Sequence, residues 1–356
     1  MRCCNKDMFL KSFLTLTFLL CISIRVDAAE PLRIGVLYWS MNIPGQVAMR
    51  KGLEEEAQRI NQAAARGAGP AVTLLPAVAG EGQEAVTRQM QQMRELIRQK
   101  PAVIIVQPTD NAALAGPLRE ANKAGIPVVA YDQYISGGRL AAYITSDNYQ
   151  AGYLNGEYVA AQVAPSTSLN LVLVEYPYIS STVERLNGFL DALTQYRIPY
   201  KILKTYKAVE PISGRRAAEA LLRDFPARGS VDLVFTVNDG GGLAVVDGLA
   251  RAGRTEIMVA TVDGDPASVE NIRKKRLTVV NSAQFCGPLG AQALSTAYRI
   301  ALGTAVPRQQ LIPVFPVTRE TMARYPGWAG PIPKPFKKPW RSMHPQWDGA
   351  IRTEAP

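Results

Sequence analysis

Ten short apolar runs punctuate residues 31–303, at 33–38, 72–77, 102–107, 127–131, 142–145, 169–175, 200–205, 231–237, 257–262 and 277–283. Amphipathic stretches with helical periodicity fill most of the intervals, at 46–65, 82–99, 111–124, 149–161, 182–195, 214–223 and 241–252. Runs such as Val103-Ile104-Ile105-Val106 and Ile126-Pro127-Val128-Val129 offer no polar face, as a strand covered by helices on both sides requires. Strand and helix in repeated alternation imply a parallel, doubly wound α/β sheet with crossovers of one hand. Ten strands are too many for one such sheet, and the pattern restarts after Ser146. Two α/β lobes of similar size are therefore expected, which suits a chain of 356 residues.

In sheets of this kind ligands sit beyond the carboxyl ends of the strands. Trp39, Ser40 and Asn42 follow the first run, Gln107 and Asp110 the third, and Asp132 and Gln133 the fourth. In the second half Arg185 opens a helix, Asn238 and Asp239 follow one run, Asp263 another, and Gln284 ends the last. Carboxylates, amides and one guanidinium suit a neutral, hydroxyl-rich ligand, because together they both accept from and donate to hydroxyls. Taken singly, Asp110, Asp239 and Asp263 stand equally well where helix N-caps belong. Trp39 reads either as core or as a stacking platform.

What the chain lacks narrows the chemistry. Its single histidine, His344, lies in a proline-rich stretch, so a Ser-His-Asp triad or a two-histidine zinc site has little to build on. Asp239-Gly240-Gly241-Gly242 follows a strand but lacks the Lys-Ser/Thr of a phosphate loop and the spacing of GxGxxG. No enzyme activity, cofactor or metal is expected.

Residues 1–29 read as an export signal. Arg2, Lys6 and Lys11 precede an apolar run at 13–24, and Val26-Asp27-Ala28 leads to a cut near Ala28 or Ala29. A twelve-residue run rises only about 18 Å as a helix, short of a membrane core of about 30 Å. Removal of the signal takes Cys3, Cys4 and Cys21 with it. Cys21 lacks the small preceding residue of a lipidation site, and Cys286 is left as a buried structural thiol. The formal charge falls from +10 to +8, and half of that sits in residues 324–356. No basic stripe on a groove-entering fold remains, so no nucleic-acid partner is expected.

Several segments together carry a family likeness: VIIVQPTD at 103–110, AGIPVVAYDQ at 124–133, TSDN at 145–148, RLNGF at 185–189, VFTVND at 234–239 and ATVDGDP at 260–266. From Ile34 to about Pro313 the chain resembles periplasmic sugar-binding proteins of the ribose-binding, lactose-repressor-like superfamily. The resemblance implies two doubly wound lobes joined by a three-crossing hinge, with the ligand in the cleft. It puts the crossings near Ser146–Tyr149, Ala283–Cys286 and Ile312–Phe315, and the binding positions at Asp132, Arg185, Asn238, Asp263 and Gln284. The expected organisation is a signal at 1–29, one lobe from 30–146 plus 285–313, a second from 147–284 plus part of 314–323, and a tail at 324–356.

Two departures concern the ligand. Ribose-type proteins place two phenylalanines after the first strand, where this chain has Asn42-Ile43-Pro44-Gly45-Gln46, and Gln133 replaces the arginine that commonly follows the cleft aspartate. Stacking then falls to Tyr38, Trp39, Tyr176 or Tyr178, and a sugar other than ribose or a polyol fits as well. The tail holds seven prolines and three of the four tryptophans, which points to extended docking on the body or on a partner. The expected function is capture of a small sugar or polyol by lobe closure and its delivery, as a periplasmic monomer, to an ABC permease. The alternative is a ligand sensor serving a chemoreceptor or membrane histidine kinase. A transcription regulator of this fold would carry a helix-turn-helix where the export signal stands.

Overall fold

The computed structural model describes residues 30–82, 84–164 and 166–354. The expected signal at 1–29, with its cysteines and cleavage site, lies outside them. The first half runs β1 (Leu32–Tyr38), α1 (Pro44–Ala64), β2 (Val72–Val78), α2 (Glu84–Gln99), β3 (Val103–Val106), α3 (Ala115–Lys123), β4 (Val128–Tyr131) and β5 (Ala142–Ser146). Next come α4 (Asn148–Gln162), β6 (Leu169–Glu175), α5 (Ser180–Gln195), β7 (Tyr200–Lys207), α6 (Pro211–Asp224) and β8 (Leu233–Thr236). The second half closes with α7 (Asp239–Arg251), β9 (Met258–Asp263), α8 (Pro266–Arg273) and β10 (Thr278–Ala283). The chain then returns through α9 (Cys286–Ala301) and β11 (Gln309–Ile312), and crosses to β12 (Phe315–Val317). Three short strands end it: β13 (Phe336–Lys337), β14 (Gln346–Trp347) and β15 (Arg352–Glu354).

Each of the ten apolar runs forms a strand, and they divide between two sheets as the restart after Ser146 requires. One lobe is built on a seven-stranded sheet ordered β15-β11-β5-β4-β3-β1-β2, the other on a six-stranded sheet ordered β12-β10-β9-β8-β6-β7. Pairing is parallel except at β12 and β15, which run antiparallel along the outer edges. Every residue of β3, β4 and β8 is buried, as strands with helices on both faces must be. The chain passes between lobes at Ser146–Asn148, Ala283–Cys286 and Ile312–Phe315.

Helices α8 and α9 have no counterpart among the periodic stretches, and the reason for α9 is physical. Its first turns carry Gly287, Pro288 and Gly290, which interrupt a helical pattern, so tertiary packing decides. A Cβ on Gly290 would stand 1.8 Å from the Met49 carbonyl oxygen, so only glycine lets α9 seat against α1. The other lobe repeats the device. A Cβ on Gly152 of α4 would stand 1.7 Å from the Arg185 carbonyl oxygen of α5. This close approach holds α5, and Arg185 with it, over the start of α4.

The tail at 324–356, set apart from both lobes in the sequence, takes part in each. Phe336 and Trp347 are buried beside Phe315, with ring centroids 5.5 and 5.2 Å from it, and join the core that runs unbroken through the crossings. Beyond them β15 pairs with β11 and extends the first lobe's sheet. Residues 325–351 thus make a further passage between the lobes.

Gly152→Ala should destabilise the protein by about 2 kcal/mol or more, because the added methyl meets backbone that cannot yield. Urea denaturation of the variant checks this.

Candidate functional site

The residues singled out at the strand ends do gather at the carboxyl edges of both sheets, but they divide into groups with different work. Asn238 caps α7 by accepting from the Gly241 N–H at 3.1 Å, and its amide nitrogen donates to the Val209 carbonyl at 3.0 Å. Other helix caps at this edge include Asp147 on α4, Glu210 on α6 and Asp265 on α8. Asp239 and Asp263, both at plausible cap positions, cap nothing. Their side chains turn instead into the space below and between the strand ends.

Arg185 is the centre of the second lobe's array. Its Nε donates to Asn148 Oδ1 at 2.9 Å, and its Nη1 donates to the Val237 carbonyl and to Asp263 Oδ1, both at 2.9 Å. Asp263 Oδ1 also accepts from Gln284 Nε2 at 2.7 Å, and Gln284 Oε1 accepts from Ser146 Oγ at 2.8 Å. One chain of bonds therefore links α5, β9 and two of the three crossings. Arg185 Nη2 is left without a hydrogen bond among the described residues.

The first lobe contributes a smaller group. Gln107 Nε2 donates to Asp132 Oδ2 at 3.0 Å, and Gln107 is fixed by its own carbonyl, which accepts from Gln89 Nε2 at 2.8 Å. The Asp132 backbone is held from two sides. Its N–H donates to the Ile144 carbonyl at 2.8 Å, and its carbonyl accepts from Tyr143 Oη and Thr145 Oγ1 at 3.2 Å each. Asp132 Oδ1 carries no hydrogen bond among the described residues. Burial pushes the Asp132 carboxyl up, against the Gln107 hydrogen bond and the Arg185 charge that pull it down, while Asp263 adds a further upward push. The two lobes thus sense each other's charge at this point.

Asp132 and Asp263 share a backbone oddity. Their φ angles are 65° and 118°, in the left-handed region that side chains other than Gly, Asn and Asp seldom occupy. Such strain persists only where the surroundings impose it, and it concentrates at binding sites. One residue from each lobe carries it here.

The aromatic candidates separate clearly. Tyr38 is buried with the Arg50 guanidinium 4.8 Å from its ring centre, so it is core and not a platform. Tyr178 stands exposed, edge-on to Tyr176 and beneath Lys207. Trp39 is half-buried, and among the described residues its ring meets no other aromatic and its indole N–H makes no hydrogen bond. Gln133 and Asn42 likewise make no side-chain hydrogen bond among the described residues. Between the lobes, next to Asn148, lies a cavity of about 340 Å³ bordered by Tyr134, Ser136 and Tyr143 on one side and Ser181 and Glu184 on the other. A larger cavity of about 660 Å³ lies beside the β4–β5 connection, away from Asp132 and Arg185.

Sequence reasoning missed three contributors. Asn148 and Ser146 sit at a crossing, and only the folded chain brings them to Arg185 and Gln284. Trp328, in the tail, donates its indole N–H to the Asp263 carbonyl at 2.7 Å; the tail's tryptophans pointed to docking on the body or a partner, but not to this strand end. Among the described residues no group of three His, Cys, Asp or Glu could hold a metal ion, and no helix is long and apolar enough to cross a membrane.

Comparison with known proteins agrees with the two-lobed fold. Residues 34–305 match the family model of the periplasmic binding protein domain. The ribose import binding protein of Escherichia coli is 25% identical over 302 residues, 84% of this chain and 95% of its own. That of Bacillus subtilis is 25% identical over 262 residues, 73% of this chain and 79% of its own. Among solved structures, a Bacillus halodurans ABC transporter solute-binding protein with bound myo-inositol superposes with a TM-score of 0.70 at 23% identity, over 83% of this chain and 97% of that one. A solute-binding protein from Actinobacillus succinogenes with bound D-allose gives a TM-score of 0.70 at 22% identity, over 83% and 100%. At these identities the superpositions establish a shared fold.

The buried Asp239 makes the site's charge measurable. Burial first, and the neighbouring Asp263 second, raise its pKa to about 7, although Asn281, Asp265 and Thr261 all donate to it. A carboxyl whose pKa is higher folded than unfolded keeps its proton longer in the native state, so folding takes up a proton between roughly pH 4 and pH 7. Native stability should therefore fall as pH rises through that window. Asp239→Asn should flatten the slope, which denaturation profiles at several pH values will measure.

Proposed function

We propose that this chain, which belongs to the periplasmic binding protein domain family, captures a small neutral sugar or polyol between its lobes and delivers it to an ABC-type importer. The observation that carries the proposal is a pair of uncommitted atoms. Arg185 Nη2, a donor, and Asp132 Oδ1, an acceptor, belong to opposite lobes and take no hydrogen bond among the described residues, on side chains whose remaining polar atoms are mostly fixed. Donor and acceptor together suit hydroxyl groups, which do both, and the Arg185 charge is already balanced by Asp263. The names of several relatives point the same way. They include ribose import binding proteins and a xylitol-binding protein of Mycolicibacterium smegmatis, 26% identical over 206 residues.

In this scheme Asp132 and Gln133 receive the ligand from the first lobe, and Arg185, Asp263 and Gln284 from the second. Trp39 offers its free indole face to the sugar ring, in place of the absent phenylalanines, and Asn42 and Asn238 border the cleft. Ligand bridging the two groups favours lobe closure about the crossings. The importer then distinguishes loaded from empty protein by that shape. Residues 1–29 direct the chain to the periplasm and are removed there.

A thermal-shift screen against D-ribose, D-allose, xylitol and myo-inositol tests the proposal. A true ligand at a hundredfold excess over its Kd should stabilise the protein by roughly 2.7 kcal/mol. Asp132→Ala and Arg185→Ala should each abolish that shift. A melt unmoved by every sugar and polyol would sink the transport reading.

A further inference from the structure

The segment after β12 touches every passage between the lobes. Arg352 pairs with Asp147 at the first, with Nη1 3.0 Å from Oδ2. At the second, Tyr325 Oη donates to the Gln284 carbonyl at 3.3 Å, and the Gly287 N–H donates to the Trp328 carbonyl at 2.9 Å. At the third, Trp347 Nε1 donates to the Val314 carbonyl at 2.9 Å. The far anchor is Glu157 on α4, fully buried, which accepts from Lys338 Nζ at 2.6 Å, Trp340 Nε1 at 3.1 Å, Ser342 Oγ at 2.6 Å and Tyr196 Oη at 2.9 Å. Lys338 is itself buried. The family match ends at residue 305, well before this segment begins.

We propose that residues 325–354 form a belt that restrains the lobes from opening, and that Trp328 is the positioning residue through which the belt acts on the cleft. Trp328 holds both lobes at once. Its carbonyl takes the N–H of Gly287 in α9, on the first lobe, while its indole holds the carbonyl of Asp263 in β9, on the second. The same Asp263 carbonyl accepts from the Gln284 N–H, and the next residue's N–H donates to Asn281 Oδ1 at 2.9 Å. The left-handed backbone of Asp263 is thus pinned on both sides, and one of the pins is borne by the tail. Opening the lobes must either break the Trp328 bonds or drag the belt, whose middle is tied down at Glu157 on the second lobe and whose end is paired with β11 on the first. The link from the belt to ligand affinity rests on the cleft reading above; the restraint itself does not.

Cys286 reports opening without any ligand. It is buried at the second crossing, next to the Gly287 N–H that the belt engages. Peptide-resolved labelling of Cys286 in the full chain with N-ethylmaleimide should be slow. Trp328→Phe keeps the ring and removes the N–H, and Glu157→Gln weakens the far anchor. Each should speed labelling roughly three- to tenfold, the range expected for loss of one such bond from the closed form. Leu118→Ala, a buried change between α3 and the first sheet and remote from the belt, controls for general loss of stability. Faster labelling in both belt variants, beyond that of Leu118→Ala at matched melting temperature, supports the belt. Rates that merely follow melting temperature, or that equal wild type, overturn it. Because no sugar is added, a failure of the ligand reading leaves this outcome intact.

Discussion

The arrangement depends on a partly buried ion pair between Arg185 and Asp263. Two charges withdrawn from water cost more than their mutual attraction returns unless their other polar atoms are also satisfied. The Val237 carbonyl, Asn148 and Gln284 meet most of that demand, and each comes from a different element. The pair therefore fixes α5 against the end of β9 and against the crossings. Removing either partner would leave an uncompensated charge where the lobes meet.

Both lobes achieve the same end by the same means. A glycine in one helix admits the backbone of its neighbour, α9 against α1 and α5 against α4, and the helix starts converge on the strand ends. The buried strands supply rigidity, and the polar residues just beyond them supply the chemistry. What differs is charge. The first lobe offers a carboxylate supported by an amide, and the second a guanidinium already matched by its own carboxylate. Their meeting surface therefore holds one carboxylate beyond the matched pair and is rich in hydrogen-bonding atoms.

Much of this was legible in the sequence where the signal is local. Short apolar runs, several of them continuously β-branched, marked all ten main strands, and polar residues at or beyond their ends marked Asp132, Arg185, Asp263 and Gln284. Local signals failed where tertiary contact decides. Helix α9 opens with Gly287, Pro288 and Gly290, which blur its pattern, and its glycines matter because they fit α1. Asp239 has the sequence position of a cap, but Asn238 performs that task and Asp239 turns inward to Asn281. Tyr38 follows the alternation of its strand into the core, although its place near the strand end suggested a platform. The tail strands are two or three residues long among prolines, too short for any periodicity. Their partners are remote in sequence or each other: β13 pairs with β14, both pack on Phe315, and β15 pairs with the β11 edge.

The outermost strand of the first lobe, β15, is also the last described segment of the chain. The sheet that begins at Leu32 is therefore completed only by residues 352–354, after the entire second lobe has been made. A chain emerging amino end first holds the edge of β11 unpaired until residues 352–354 are free, so this lobe cannot reach its finished form before them. Its assembly is timed by the arrival of residues 352–354.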